Sequence, residues 1–172
     1  MRSTLFCSFC IVLLLSGCNN NDDDNSLTPA VASIGFATAG SAIAVGQEIE
    51  MSLQADNLSA DVFAVSMQIS FDQEVLAFSD SSGWVAGDLF GSNALTFVRT
   101  EESVIRLTVT RVQGTQPGNG FGTLCRLTFS GRAAGTSPLQ IDRNELKLFD
   151  STGVEIDLAD IVINNAAMQV NQ

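Results

Sequence analysis

The ten residues from Val62 to Phe71 alternate without a break. Phe63, Val65, Met67, Ile69 and Phe71 share one parity; Val62, Ala64, Ser66, Gln68 and Ser70 share the other. A two-residue period matches the pleat of a β-strand and fits no helix, so the stretch predicts a long strand with its first set on a core. Asp72-Gln73-Glu74 ends it in a polar turn, and Val75 to Phe78 follows as a second apolar run. A strand of this kind requires partners, and the rest of the chain supplies them.

Ile49, Met51, Leu53 and Ala55 alternate with Glu50, Ser52 and Gln54, which predicts a half-buried strand before the break at Asp56-Asn57. Ala32 to Thr38 predicts a strand ahead of it. Leu95 to Arg99 and Val104 to Val112 predict a hairpin across Glu101-Glu102. Residues 79–94 are rich in Ser, Gly, Asp and Asn and predict loop, and Gly114 to Gly120 is a cluster of turn residues. Strands are expected over Leu124–Ser130, Pro138–Ile141, Leu146–Phe149, Val154–Ile156 and Ile161–Val170. No window sustains a 3.6-residue period. The expectation is an all-β protein, a jelly-roll β-sandwich of about nine strands.

The first eighteen residues, MRSTLFCSFCIVLLLSGC, read as an address. Arg2 precedes an apolar run of 11 residues, Leu5 to Leu15, too short to span a bilayer. Leu15-Ser16-Gly17-Cys18 resembles the lipobox of bacterial lipoproteins, which implies lipid on Cys18 and a mature chain beginning there. The expected organisation is a signal peptide over 1–17, a lipid-anchored linker over 18–29 and one domain over 30–172. The linker is polar and acidic, and its ten residues from Asn19 to Thr28 reach at most about 35 Å. A protein so built is exported and held at the cell envelope by lipid, and more than one acyl chain makes such an anchor stable.

The chain has no His, which removes the Ser-His-Asp triad, the Cys-His pair and His-containing zinc sites. A net charge of −11 repels phosphate backbones, so nucleic acid is not an expected partner. Cys125 is the one cysteine left after Cys18, and it shares the parity of Leu127 and Phe129, so it is expected as a buried small hydrophobe. Asp72 with Glu74 invites comparison with a glycosidase pair, but a turn in which Asp bonds its own backbone accounts for them. Asp142, Asn144, Glu145, Asp150, Asp157 and Asp160 form a late acidic cluster that offers oxygen ligands to Ca²⁺. The EF-hand spacing is missing there, with Leu146 where Asp or Asn belongs. No cofactor, metal site or catalytic residue is expected.

Three stretches together resemble one family. AVSMQISFDQEVLAF, GNGFGTLCRLTFSGRAAGTSPLQI and LFDSTGVEI follow, in order and spacing, the cohesin pattern from about residue 32 to 170. The resemblance implies a non-catalytic jelly-roll sandwich, a fold shared with some carbohydrate-binding modules, that binds dockerins in polysaccharide-degrading complexes. The usual Tyr-Asp-Pro of that family stands here as Phe71-Asp72-Gln73. In the best-known cohesins an Asn and an Asp on the outer face of this strand meet the dockerin; those places fall at Ala64 and Ser66, which do not make the same contacts. The candidate binding face for a protein partner is Ala64, Ser66, Gln68 and Ser70. The alternative is a module that holds polysaccharide at the cell surface, with Trp84 as the candidate sugar contact, since a flat aromatic face suits the apolar face of a sugar ring.

Overall fold

A computed structural model describes residues 31–172 apart from 60, 92, 113 and 115–119. The expected signal peptide, Cys18, the linker and most of the 114–120 turn cluster lie outside the described residues. Among the described residues there are fourteen strands and no helix. No described helix is therefore long and apolar enough to cross a membrane.

The strands are β1 (Ser33–Phe36), β2 (Gly40–Ala44), β3 (Glu48–Asp56), β4 (Val62–Ser70), β5 (Leu76–Phe78), β6 (Trp84–Ala86) and β7 (Leu95–Glu101). They continue as β8 (Val104–Thr110), β9 (Gly122–Gly131), β10 (Gly135–Ile141), β11 (Lys147–Asp150), β12 (Glu155–Ile156), β13 (Val162–Asn164) and β14 (Ala166–Asn171). One sheet runs β13-β1-β3-β9-β5, with β6 also on β9. The other runs β12-β11-β4-β10-β14-β2, with β8 on the free side of β4 and β7 outside β8. The inner faces close on one cluster. Ile34, Met51, Leu53, Leu127 and Phe129 come from the first sheet, and Val65, Met67, Ile69, Ile105, Leu107, Leu139 and Met168 from the second.

The predicted strand 62–71 is β4, the strand that joins three others. β8 pairs with it from Ala64 to Ser70 on one side. On the other side β11 pairs with its first half and β10 with Ile69 and Ser70. The expected parity holds from Ala64 onward and fails before it. The register on β11 slips, with Phe149 opposite Ala64 but Asp150 opposite Val62, leaving Phe63 as the extra residue of a bulge. Val62 is accordingly buried and Phe63 only half-buried, the reverse of the alternation.

One expected strand, one strand that was not expected and one expected loop need correction. Ile161–Val170 is not continuous. The chain leaves the first sheet after β13 and enters the second as β14, and the side chain of Asn165 between them accepts a hydrogen bond from the Ile141 amide. β1 and β2 make the same crossing at the other end of the sequence, and the two crossings pair in parallel, β1 on β13 and β2 on β14. β2 is absent from the expected strands because Gly40 to Ala44 carries little apolar patterning of its own; its pairing comes from β14, more than 120 residues away. Within the loop expected over 79–94, Trp84 to Ala86 forms β6, recruited along the edge of β9.

The turn after β4 is as the sequence predicts. The carboxylate of Asp72 accepts the Glu74 amide at 2.9 Å, so the pair forms a turn rather than a catalytic couple. Phe71 and Phe78 pack on Phe129 with ring centroids 5.8 and 5.4 Å apart. Cys125 is fully buried opposite Leu53, and burial pushes its thiol up to about 12, so it stays protonated and inert.

Candidate functional site

Cross-strand partners in an antiparallel sheet point to the same side, so register alone assembles the outer face of β7-β8-β4-β11. Leu95, Thr110, Ala64 and Phe149 form one row across the four strands. Phe97, Thr108, Ser66 and Lys147 form the next, and Arg99, Arg106 and Gln68 the third. Ala64 and Ser66 thus sit mid-sheet, flanked by β8 on one side and β11 on the other, and Gln68 lies beside β8. Ser66 shares a hydrogen bond with Thr108 at 3.2 Å, and the Gln68 amide donates to Glu145 at 3.0 Å. Ser70, at the far end of β4, is exposed opposite Val104.

The middle of this face is low. Ala64, Ser66, Thr108 and Thr110 are small, and none is charged. The flank at β7 is apolar: Leu95 is 51% and Phe97 61% exposed. A Leu and a Phe side by side on the outer strand, beside a floor of small residues, form an exposed apolar patch of the kind that marks interaction sites. Below them Glu101 is held between Arg99 at 3.4 Å and Arg106 at 3.3 Å. Lys147 lies 3.9 Å from Glu155 on the opposite flank.

Charge is distributed unevenly around the domain. Of the eight Lys and Arg, Arg2 lies outside the described residues, and four of the other seven, Arg99, Arg106, Arg111 and Lys147, are on this face or at its rim. Glu101, Glu145, Asp150 and Glu155 balance them. The acidic excess therefore lies elsewhere on the surface. A near-neutral face with exposed apolar residues suits docking better than the acidic surroundings do.

Sequence alone misses Leu95, Phe97 and the two arginines beside them. The signal is present in LTFVRTE, but apolar residues fall on both parities there, with Leu95 and Phe97 on one and Val98 on the other. Only the pairing with β8 decides which parity faces solvent.

Trp84 lies elsewhere, on the other sheet. It is opposite Leu127, packs half-buried on the edge of the core, and its ring N–H donates to the Asp80 carbonyl at 3.0 Å. The late acidic residues are not gathered into a site either. Asp142, Asp150 and Asp157 each accept the amide two residues on, from Asn144, Thr152 and Ala159. Each carboxylate closes its own turn, and no group of three or more metal-ligating side chains forms among the described residues.

The Asp150 turn borders the face and is tightly held. One carboxylate oxygen accepts the Thr152 hydroxyl at 2.7 Å, the Thr152 amide at 2.8 Å and the Val154 amide at 2.9 Å. The Thr152 hydroxyl first, then the Val154 amide, hold the carboxyl below its ordinary range. A depressed carboxyl contributes stability that is present above its unfolded value, about 3.9, and lost as pH falls through the folded value. Asp150→Ala is therefore expected to melt below wild type at pH 6. The gap between their melting temperatures should close as the pH is taken below about 4. A gap of constant size down to pH 2 would show that the charge of Asp150 does not hold the turn.

The sequence matches the Cohesin domain family over residues 34–168. The chain belongs to the cohesin domain family. Cohesin domains are non-catalytic protein-binding modules. No curated protein matches the sequence. Solved cohesins share the fold of this chain at low identity. A type II cohesin domain from the cellulosome of Acetivibrio cellulolyticus superposes with a TM-score of 0.68 at 17% identity, over 81% of this chain and 95% of that one. The cohesin CaCohA2 from Clostridium acetobutylicum gives 0.65 at 18%, over 82% and 92%. The cohesin of the Coh-OlpC–Doc435 complex, a type I cohesin–dockerin complex from Clostridium thermocellum, gives 0.64 at 13%, over 82% and 94%. At such identities the likeness is one of fold, and the face of this cohesin has to be judged on its own side chains.

Proposed function

We propose that this cohesin domain docks a protein partner of the dockerin type through the outer face of β7-β8-β4-β11, and that lipid on Cys18 holds it at the bacterial cell envelope. The observation that carries the docking reading is the pair Leu95 and Phe97, exposed on one flank of a floor made of Ala64, Ser66, Thr108 and Thr110. A partner helix approaches such a floor closely, and the apolar flank supplies the contact area that the floor lacks. The solved relative in the Coh-OlpC–Doc435 complex binds a dockerin, which supports a protein of that class as the partner.

The docking test uses the immobilised full chain and a panel of dockerin modules, with a polysaccharide retention gel run alongside. Saturable retention of at least one dockerin, with no retardation by polysaccharide, is expected. Retardation by polysaccharide with no dockerin retained would replace this reading with the carbohydrate-binding one.

The anchor rests on Leu15-Ser16-Gly17-Cys18 directly after the apolar run that ends at Leu15. Cys18→Ser is expected to leave the protein unprocessed or to move it from the detergent phase to the aqueous phase. Unchanged partition of a processed Cys18→Ser protein would sink the lipid anchor and leave the docking face untouched.

A further inference from the structure

The first row of the face ends in a hollow of about 530 Å³. Phe63, Ala64, Leu95, Val112 and Phe149 give it an apolar part, and the turn from Asp150 to Gly153 gives it a polar one. The bulge in β4 makes room for it, since it turns Phe63 away from the core and into the wall. Arg111 also lines it, and among the described residues Arg111 is the one charged residue that is buried.

Arg111 is 6% exposed. Its guanidinium lies over the ring of Phe90, 5.1 Å from the centroid. Its Nε is buried and has no hydrogen-bond partner among the described residues. No described carboxylate lies within ion-pair distance of it; Glu101, Glu145 and Glu155 beside the face are engaged with other partners. Asp150, which also lines the hollow, turns one carboxylate oxygen to Thr152 and Val154 instead. Buried charges are ordinarily paired, because an unpaired one loses its hydration without recompense. Desolvation by burial also lowers the guanidinium from its ordinary value.

We propose that this hollow receives one carboxylate of the docked protein partner, carried by an acidic side chain with an apolar neighbour: the carboxylate meets Arg111 and the apolar neighbour packs on Leu95 and Phe149. The inference rests on the docking face described above and names what the partner must bring to it. The wall residues Ala64, Leu95 and Phe149 belong to the face itself, so a partner lying across the rows reaches the hollow without a detour. An acidic side chain avoids the rest of this acidic domain and finds here a buried cation that no described carboxylate pairs.

The test needs no partner. The ¹⁵N-labelled full chain is titrated with acetyl-Leu-Glu-Leu-amide and, separately, with acetyl-Leu-Gln-Leu-amide. The Nε–Hε signal of Arg111 and the amides of Ala64, Leu95 and Phe149 are followed. The Glu peptide is expected to bind about ten- to a hundredfold more tightly than the Gln peptide, the range set by charged hydrogen bonds. Arg111→Met should erase that preference, and Arg111→Lys should keep part of it. Equal affinity for the two peptides, no saturable change with either, or an undiminished preference in Arg111→Met overturns the proposal. Should Arg111→Met fail to fold, the comparison of the two peptides on the wild-type chain decides alone. Failure here leaves the docking face standing, because dockerin retention is read in a separate experiment; loss of dockerin retention in turn leaves the peptide titration unaffected.

Discussion

Ile69→Asp is expected to abolish the folded domain, while Gln68→Asp, one residue earlier, leaves it nearly as stable as wild type. Ile69 is 0% exposed and sits where β4 is paired on both sides, opposite Ile105 on β8 and Ile141 on β10. All three are buried, so an aspartate there has no water and no partner. An unpaired charge in such a place costs several kcal/mol, a large part of the roughly 5–15 kcal/mol that holds a domain together. Gln68 points the other way, between Arg106 on β8 and Glu145. Aspartate at 68 loses the hydrogen bond to Glu145 and meets its charge, but it faces Arg106 across the ladder. Opposed cross-strand terms of this kind are each about 0.2–1 kcal/mol, so the balance is small. Thermal melts followed by circular dichroism separate the two outcomes. Equal melting temperatures would mean that β4 is not the strand the two sheets close on.

That contrast is legible in the sequence of β4 alone, because a period of two needs only neighbouring residues. The same holds for β3, where Met51, Leu53 and Ala55 are buried as their alternation predicts. Local sequence stops being enough where another strand decides the geometry. The parity of Val62 and Phe63 is reversed by a bulge set by the register of β11. The break at Asn165 exists because β13 belongs with β1 and β14 with β10 and β2, which no window of adjacent residues contains. The site follows the same rule. Ala64, Ser66 and Gln68 are legible as an outward row on one strand. Leu95 and Phe97 become part of the face only through pairing with β8, and the hollow at Arg111 forms only through the bulge at Phe63. What the sequence conceals is therefore the part built by contacts between distant segments, and both the apolar flank and the buried arginine belong to it.

Ser66→Arg is expected to abolish capture of the partner without unfolding the domain, and it is the sharpest test of which face is used. Ser66 lies in the centre of the second row, with Thr108 and then Phe97 on one side and Lys147 on the other. An arginine there stands up from the floor and blocks close approach of a helix. Its cost to folding is modest: it loses the hydrogen bond to Thr108 and meets Lys147 across the ladder, a like-charge contact on the order of 0.2–1 kcal/mol. Phe97→Ala removes the exposed ring and leaves the floor intact. Aromatic hot-spot anchors cost about 2–4 kcal/mol when truncated, roughly 30- to 1,000-fold in affinity. Gln54→Arg is the control, since Gln54 lies on β3 in the opposite sheet, where an equally bulky charge should change nothing. Ser66→Arg should lose the retained dockerin and Phe97→Ala should hold it more weakly, while Gln54→Arg keeps it, all at melting temperatures within a few degrees of wild type. The order of the losses is informative as well. If the small floor admits the partner and the apolar flank grips it, Ser66→Arg prevents association altogether, whereas Phe97→Ala leaves a weaker complex that dissociates faster, because truncating an anchor acts mainly on the off-rate. Capture that survives Ser66→Arg at full affinity but fails in Gln54→Arg would place the partner on the other sheet.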